Sequence, residues 1–311
     1  INNKEIKPFN LTFTGNLGSG YGNFSLLNFN FSLLSLVAPI PSTVYGYFGF
    51  KGKYSLANGT PKVNSELVIE DAKVYNRNVI LDNGNILYED NNLEFDIAIR
   101  DEASSNPISL TGIYPLSNSS PIDLKVESHG DGLAFLTGLT KGSVSWTSGT
   151  ADLSLIVRGT PAKPAANGFM VFKNSDLFFQ GKEINDLNST MVFDFNRVEV
   201  RKLKANIGSS SLLNGQGGIS LFDSQLIESE PLAISIEKTR IKTEFGDIQV
   251  SSQMIVKGSI LKPKLAGEVS ISEGSISVKR SNNSAKTKSN KLVNYKNSKT
   301  KRIRRFPEQD W

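Results

Sequence analysis

The sequence predicts an all-β fold, in which an elongated and twisted antiparallel sheet folds over on itself and is built from repeats of about 100 residues. Three observations predict it. Apolar and polar residues alternate with a period of two, turn-forming residues separate the alternating segments, and one strand-turn-strand pattern recurs along the chain. Such a chain extends a sheet by adding units, each of which contacts mainly its neighbours.

The alternation is clearest in residues 27–33, where every odd residue is apolar and every even residue is polar. It returns in residues 153–155, in parts of 192–201, in 232–236, in 269–271 and in 276–278. Successive side chains of a β-strand point to opposite faces of the sheet. Each segment therefore predicts a strand with one apolar face and one polar face.

Turn signals such as Asn-Gly and Asp-Gly separate these segments and indicate hairpins. They predict turns at residues 58–61, 82–84, 131–132, 214–215, 245–247 and 273–274. Helical spacing occurs in residues 132–139, where two glycines limit it to a short helical turn. The prediction is hairpin after hairpin, with hardly any helix to cover the sheet.

A repeat supports this organisation, because residues 157–172 and 256–271 align without a gap at an offset of 99 residues. A looser third copy begins at Gly59. Each copy has a proline, which cannot donate a ladder hydrogen bond, between two predicted strands. The residues assigned to these repeat turns are Pro61, Gly159, Pro164, Gly168, Gly258, Pro263 and Gly267.

Composition leaves little room for catalysis. Cysteine is absent and His129 is the single histidine, which excludes disulfides, Cys/His zinc sites and mechanisms that need two histidines. Adjacent carboxylates on a strand point to opposite faces and form no acid-base pair. The glycine-rich segments 18–22 and 215–218 carry no phosphate-loop lysine. We expect no enzyme activity, no metal site and no cofactor.

The net charge of +5 is concentrated at the C-terminus. Residues 279–311 contain 11 basic and two acidic residues, whereas residues 1–278 contain 24 basic and 28 acidic residues. The polar composition of residues 279–311 predicts a disordered basic tail or linker. A polybasic segment that binds anionic lipid or nucleic acid is the alternative, but the acidic body disfavours nucleic acid as a partner.

Residues 121–280 carry a further pattern of glycines, prolines and aliphatic residues. This pattern resembles the C-terminal region of the TamB family, the translocation and assembly module of the AsmA-like superfamily, and within it the cyanobacterial and chloroplast-envelope branch. The resemblance divides the chain into a β-repeat region at 1–120 with weaker similarity, a TamB-like region at 121–278, and the tail at 279–311. The residues that carry it are Pro121–Val126, Gly132, Leu133, Leu136, Leu139, Gly142–Val144, Gly149, Leu153–Leu155, Gly159, Thr160, Pro164, Gly168, Gly208, Leu212, Leu213, Gly215, Leu221, Phe222, Gly258, Pro263 and Gly267.

The resemblance implies a β-taco-like trough in a protein of the periplasm or cell envelope, anchored to the inner membrane by a segment outside this sequence. It also implies work in outer-membrane biogenesis, either by phospholipid transport between membranes or by assistance to outer-membrane protein assembly with a TamA-type barrel partner. The family has no catalytic residues to carry over. We expect this sequence to be an internal piece of a longer protein.

Phospholipid acyl chains are the expected cargo of such a trough, lined by the apolar members of the alternating strands. The alternative is that these side chains pack against one another in a closed core, as in a structural or adhesive β-repeat protein without lipid cargo. The groove candidates are Phe29, Phe31, Leu153, Leu155, Val157, Phe193, Phe195, Ile234, Ile236, Val269, Ile271, Ile276 and Val278.

Overall fold

The all-β prediction is confirmed by the structure, a computed structural model that has seventeen strands among its described residues. The helices that it describes are two 3-10 helices, Phe31–Leu36 and Gly132–Phe135, and the four-residue α1 (Leu136–Leu139). The described residues are 7–16, 20–36, 44–57, 59–140, 142–208, 211–221, 230–243, 246–260, 262–276 and 301–310. The chain divides into unit 1 (Ile1–Gly181 with Phe193–Phe195) and unit 2 (Lys182–Val192 with Asn196–Trp311).

Unit 1 is an antiparallel meander of ten strands. Each strand pairs with the next one along the chain, from β1 with β2 through to β9 with β10. The strands are β1 (Asn10–Asn16), β2 (Tyr21–Asn30), β3 (Val44–Ala57), β4 (Thr60–Val74), β5 (Arg77–Glu89), β6 (Asn92–Asp101), β7 (Ile108–Pro115), β8 (Ile122–Ser128), β9 (Val144–Thr160) and β10 (Lys163–Phe179).

Unit 2 repeats this pattern. Consecutive antiparallel pairs join β12 to β13, β13 to β14, β14 to β15, β15 to β16 and β16 to β17. The strands are β11 (Lys182–Phe195, whose last three residues group with unit 1), β12 (Arg197–Ile207), β13 (Ser211–Ser220), β14 (Leu232–Thr243), β15 (Gly246–Ser259), β16 (Lys262–Ile276) and β17 (Lys301–Asp310).

The sequence repeat corresponds to two equivalent hairpins. Gly159 pairs with Pro164 where β9 turns into β10, and Gly258 pairs with Pro263 where β15 turns into β16. Both glycines have positive φ angles, +93° and +85°. The proline of the looser third copy, Pro61, also lies one residue beyond the closing pair of its hairpin, β3 to β4.

The equivalence extends to side chains and to strand spacing. The amide of Lys163 donates to Thr160 Oγ1 at 3.3 Å, and the amide of Lys262 donates to Ser259 Oγ at 3.2 Å. Further along the hairpins, a Cβ added to Gly168 or to Gly267 would collide with a carbonyl oxygen of the partner strand. Glycine is therefore required at both positions by the close approach of two backbones.

Residues 27–33 differ from the predicted strand. Asn28 has a φ of +66°, the register to β3 shifts between Leu26 and Phe29, and β2 ends at Asn30. Phe31 begins a 3-10 helix, so the prediction of a strand is wrong for this residue. The bulge changes which side chains share a face, because one inserted residue reverses the alternation.

Three predicted turns are also wrong. Residues 82–84 lie inside β5, residues 214–215 inside β13 and residues 273–274 inside β16. In β5 the register to β6 shifts between Leu81 and Asn83, so Asp82 forms a bulge and the Asn-Gly pair that follows it continues the strand. Asn, Asp and Gly are common in both turns and bulges, because each of these structures needs unusual backbone angles or a position without a side chain.

The expected disorder of the tail is wrong for residues 301–310, which form β17 and pair with β16. Without this partner the outer edge of β16 would present unpaired amides and carbonyls, which readily accept another strand. Residues 277–300 lie outside the described residues, and Val278 is among them.

Candidate functional site

Unit 1 separates apolar and polar side chains onto opposite faces of its sheet. Residues paired across antiparallel strands share a face, so the register defines transverse rows. One row consists of Ile97, Leu110, Val126, Leu155 and Gly168 across β6–β10. The adjacent row on the other face is mostly polar and consists of Asp96, Thr111, Lys125, Ile156 and Asn167.

We call the apolar side the apolar face of unit 1. It extends from β1 to β10, and its members lie at paired positions of consecutive strands. They are Leu11, Phe13, Phe24, Leu26, Phe29, Phe48, Phe50, Tyr54, Val63, Leu67, Ile69, Ile86, Tyr88, Leu93, Phe95, Ile97, Ile99, Ile108, Leu110, Ile122, Leu124, Val126, Leu153, Leu155, Val157, Met170 and Phe172.

Most side chains of this face are half-buried. The largest side chains of the described residues with less than 2% exposure are Leu133, Pro115, Ser128 and Ser175, none of them an aromatic of the sheet. A closed sandwich would bury its inward Phe and Leu side chains almost completely, because protein cores are close-packed. The face is thus partly shielded but still accessible to a ligand.

Aromatic rings form the part of this face on β2 and β3. The ring of Phe48 lies 5.4 Å from that of Phe29, 5.3 Å from that of Phe31 and 5.8 Å from that of Phe50. Phe9, which precedes β1, packs edge-on against Phe29 at 4.7 Å. These contacts place both sequence-predicted residues of the N-terminal region, Phe29 and Phe31, in one cluster.

The connection between β8 and β9 crosses one end of the unit 1 sheet. We call residues 129–140 the end segment. The backbone of Gly138 lies against the side chain of Val74 at the end of β4, and the amide of Trp146 in β9 donates to Thr137 Oγ1 at 3.0 Å. In a flat sheet β4 and β9 would be about 24 Å apart, five strand spacings. Unit 1 therefore curls at this end.

Hydrogen bonds and burial hold the end segment in place. The Asp131 carboxylate accepts from the amides of Ser105 at 2.8 Å and Asn106 at 2.9 Å, and from Asn106 Nδ2 at 3.0 Å. Leu133 is 2% exposed and Ala134 is 5% exposed. Burial opposes ionisation of the Asp131 carboxyl, but these hydrogen bonds outweigh it and hold the pKa of Asp131 below its ordinary value.

The pKa of Asp131 predicts an acid-sensitive end segment. Since the pKa is lower in the folded chain than the value of about 3.9 in an unfolded one, ionised Asp131 stabilises the fold above about pH 4. That stability is lost as the pH falls through the folded pKa. The protection factors of the Ser105 and Asn106 amides, which correct the exchange rates for their intrinsic pH dependence, should therefore fall as the pH decreases below about 4, and Asp131→Asn should reduce this pH dependence. An unchanged pH dependence in Asp131→Asn would contradict the assignment.

A partly buried ion pair lies at the same end of the sheet. Arg77 Nη1 lies 2.8 Å from Asp101 Oδ2, and the Asp101 side chain is 4% exposed.

The side chain of His129, the single histidine, is exposed, and its Nδ1 lies 3.3 Å from Asp152 Oδ1. The hydrogen bond from His129 lowers the pKa of Asp152, with help from Lys173. Across the described ranges, no group of three His, Asp or Glu side chains is arranged to hold a metal ion.

Unit 2 also has an apolar face. Leu203, Gly215, Ile234, Met254 and Gly267 form one row across β12–β16. The adjacent row on the polar face consists of Lys204, Asn214, Ser235, Gln253 and Glu268. A groove of about 770 Å³ lies along these two rows and is lined by residues of all five strands.

The comparison with protein families concerns this unit. Residues 201–310 match the TamB C-terminal domain. The match covers part of β12 and all of β13–β17, and it confirms the resemblance to the TamB family.

Two chloroplast proteins resemble the chain more broadly. It is 23% identical over 170 residues to Protein TIC236, chloroplastic, of Arabidopsis thaliana, and 24% identical over 171 residues to Protein SUBSTANDARD STARCH GRAIN 4, chloroplastic, of Oryza sativa subsp. japonica. Each alignment covers 53% of this chain and 8% of the relative. The chain therefore corresponds to a small part of these relatives. No solved structure matches it.

Apart from Phe29 and Phe31 in the aromatic cluster, the predicted groove residues fall into four groups. Leu153, Leu155 and Val157 follow one another on the apolar face of unit 1 in β9. In the TamB-matching region, a second group of half-buried residues shares the apolar face of β14 and β16. It comprises Ile234, Ile236, Val269 and Ile271.

The other groups are placed less favourably or lie outside the description. Phe193 is half-buried and Phe195 is 65% exposed, both near the end of β11. Ile276 is the last residue of β16, and its side chain, like the whole of Val278, lies outside the described residues.

Several face residues were missed from the sequence. Leu93, Phe95, Ile97 and Ile99 alternate with mostly polar neighbours in β6, a signal that the period-two criterion detects. The position of the end segment gave no comparable signal, because Asp131 finds its partners 25 and 26 residues away.

No described helix is long and apolar enough to cross a membrane.

Proposed function

We propose that the apolar faces of this chain hold phospholipid acyl chains and that the protein moves lipids between membranes during outer-membrane biogenesis. The observation that carries this proposal is the half-buried apolar face of unit 1, which continues across consecutive strands opposite a polar face. In this proposal the chain is part of a periplasmic or envelope scaffold, anchored to the inner membrane outside this sequence and working with a TamA-type barrel partner.

The energetics of an apolar face suit transport better than storage. An acyl chain that leaves a bilayer loses about 0.8 kcal/mol of transfer free energy per CH₂ and regains a similar amount on apolar protein surface. The net change is close to zero, so lipid binds without being trapped. The polar side chains on the other face keep such a sheet soluble in an aqueous compartment.

An acidic substitution on the apolar face should remove lipid. In Leu155→Asp and in Ile271→Asp, a carboxylate would have to be desolvated beside each acyl chain, which costs several kcal/mol. We expect phospholipid that co-purifies with the full chain from cells, quantified by mass spectrometry, to fall severalfold in each variant, while far-UV circular dichroism retains the β-sheet signal.

The adjacent residues provide matched controls. Ile156 follows Leu155 and Ser270 precedes Ile271 on the same strands, but both belong to the polar face. Ile156→Asp and Ser270→Asp should therefore leave the lipid content unchanged. Loss of stability without loss of lipid in the apolar-face variants would instead support a structural or adhesive protein with a closed core.

A further inference from the structure

The two ends of the apolar face of unit 1 differ. At the end where β4 stops and β9 starts, the end segment covers the sheet. Val74 is 5% exposed there, Leu133 is 2% exposed and Thr137 is 5% exposed. A ligand that follows the strands towards this end meets packed side chains and backbone.

The opposite ends of the strands are partly open to solvent and carry charges, although Pro115 at the end of β7 and Ile122 at the start of β8 are buried there. Leu56 near the end of β3 is 50% exposed, and Leu116 after β7 is 55% exposed. Ion pairs flank this rim, with Lys62 Nζ 2.8 Å from Glu89 Oε2. Charged and polar groups at this rim are compatible with a phospholipid headgroup, whereas the covered end offers no comparable exit.

The distance between the rim and the end segment is long enough to hold an acyl chain. On β8 the apolar face extends from Ile122 at the rim to Ser128 beneath the end segment. Six residue steps of about 3.3 Å give about 20 Å. Half of the hydrocarbon core of a bilayer, which one acyl chain spans, is about 15 Å.

We propose that in unit 1 each acyl chain lies along the strands, with its methyl end against the end segment and its headgroup beyond the opposite rim. The end segment thereby acts as a fixed stop that sets the orientation of the lipid. This inference rests on the proposed function and adds a direction to it.

Tryptophan fluorescence can measure this direction. Trp146 lies at the covered end, where its amide donates to Thr137 and its ring is 6.1 Å from that of Phe172 on the apolar face. In Trp311→Phe it is the single tryptophan of the chain. The probes are phosphatidylcholines with a nitroxide quencher on either the fifth or the sixteenth carbon of an acyl chain, added to the full chain after delipidation.

We expect the sixteenth-carbon label to quench Trp146 at least about twofold more strongly than the fifth-carbon label, since the two positions are separated by most of a leaflet depth of about 15 Å. A reporter at the rim should give the reverse order. Tyr88 lies on the apolar face one residue before the end of β5, so Tyr88→Trp in a Trp146→Phe, Trp311→Phe background supplies it.

Each result decides one of the two proposals. Opposite orders at the two reporters support the fixed orientation. The same order at both reporters, or equal quenching by both labels, overturns it but leaves acyl binding intact. No quenching by either lipid at either reporter, in protein that retains its β-sheet circular dichroism, overturns the proposed function itself.

Discussion

Leu133→Ala is expected to lower the free energy of unfolding of the chain by about 2–5 kcal/mol, the range for truncating a buried leucine. Leu133 is one of the largest fully buried side chains of the described residues, and it lies in the 3-10 helix of the end segment. Its loss leaves a cavity between the end segment and the sheet, and Ala134 then loses its packing. Urea denaturation followed by circular dichroism measures the change.

The matched control is Leu116→Ala. Leu116 is 55% exposed, so its truncation should change stability by no more than about 0.5 kcal/mol. Hydrogen exchange supplies a second readout, since the Ala151 amide donates to the Gly130 carbonyl at 2.7 Å. Exchange at Ala151 should accelerate in Leu133→Ala and not in Leu116→Ala. Equal stability of the two variants would show that the end segment contributes little to unit 1.

Gly159→Ala and Gly258→Ala should destabilise the chain by similar amounts, each by about 1–3 kcal/mol from backbone strain and more from steric conflict. Their φ angles are positive, and an added Cβ would press against the carbonyl oxygen of Lys163 or Lys262. The two hairpins have the same pairing and the same hydroxyl contact, which is why the effects should agree.

Gly59→Ala and Gly208→Ala separate strain from steric conflict. Both glycines have positive φ angles, +81° and +58°, yet a Cβ at either position would have no atom within 4 Å. These variants should show the effect of backbone strain alone, and therefore a smaller decrease in the free energy of unfolding in the same urea denaturation experiment. If all four substitutions cost the same, close contact in the repeat hairpins has no energetic role.

Period-two alternation and turn residues were sufficient to predict an all-β chain of hairpins and the apolar positions of β9, β14 and β16. They failed at Asn28, where a bulge changes the face of the residues that follow. A bulge depends on the partner strand as much as on its own residues, so one strand's pattern does not reveal it. The TamB resemblance, which the family match places in residues 201–310, was predictable because its glycines and prolines have fixed backbone roles, as the positive φ angle of Gly258 shows.

The end segment could not be predicted for a different reason. Its position depends on Gly138 meeting Val74 and on Asp131 meeting the loop after β6, contacts between residues far apart in sequence. The short helical turn at 132–139 was predictable from spacing, but its place on the sheet was not. Local patterns specify elements, whereas the curl of unit 1 arises from tertiary packing.

The pairing of each strand of unit 1 with its neighbour along the chain has a consequence for how the protein is made. A polypeptide that emerges from a ribosome or a translocation pore presents β1 first, and each new strand finds its partner already formed. The end segment is different, because it needs β4 and β9 together. Until β9 is in place the apolar face is therefore open at both ends. The difference between the two ends, which orients a ligand, is acquired only when β9 pairs.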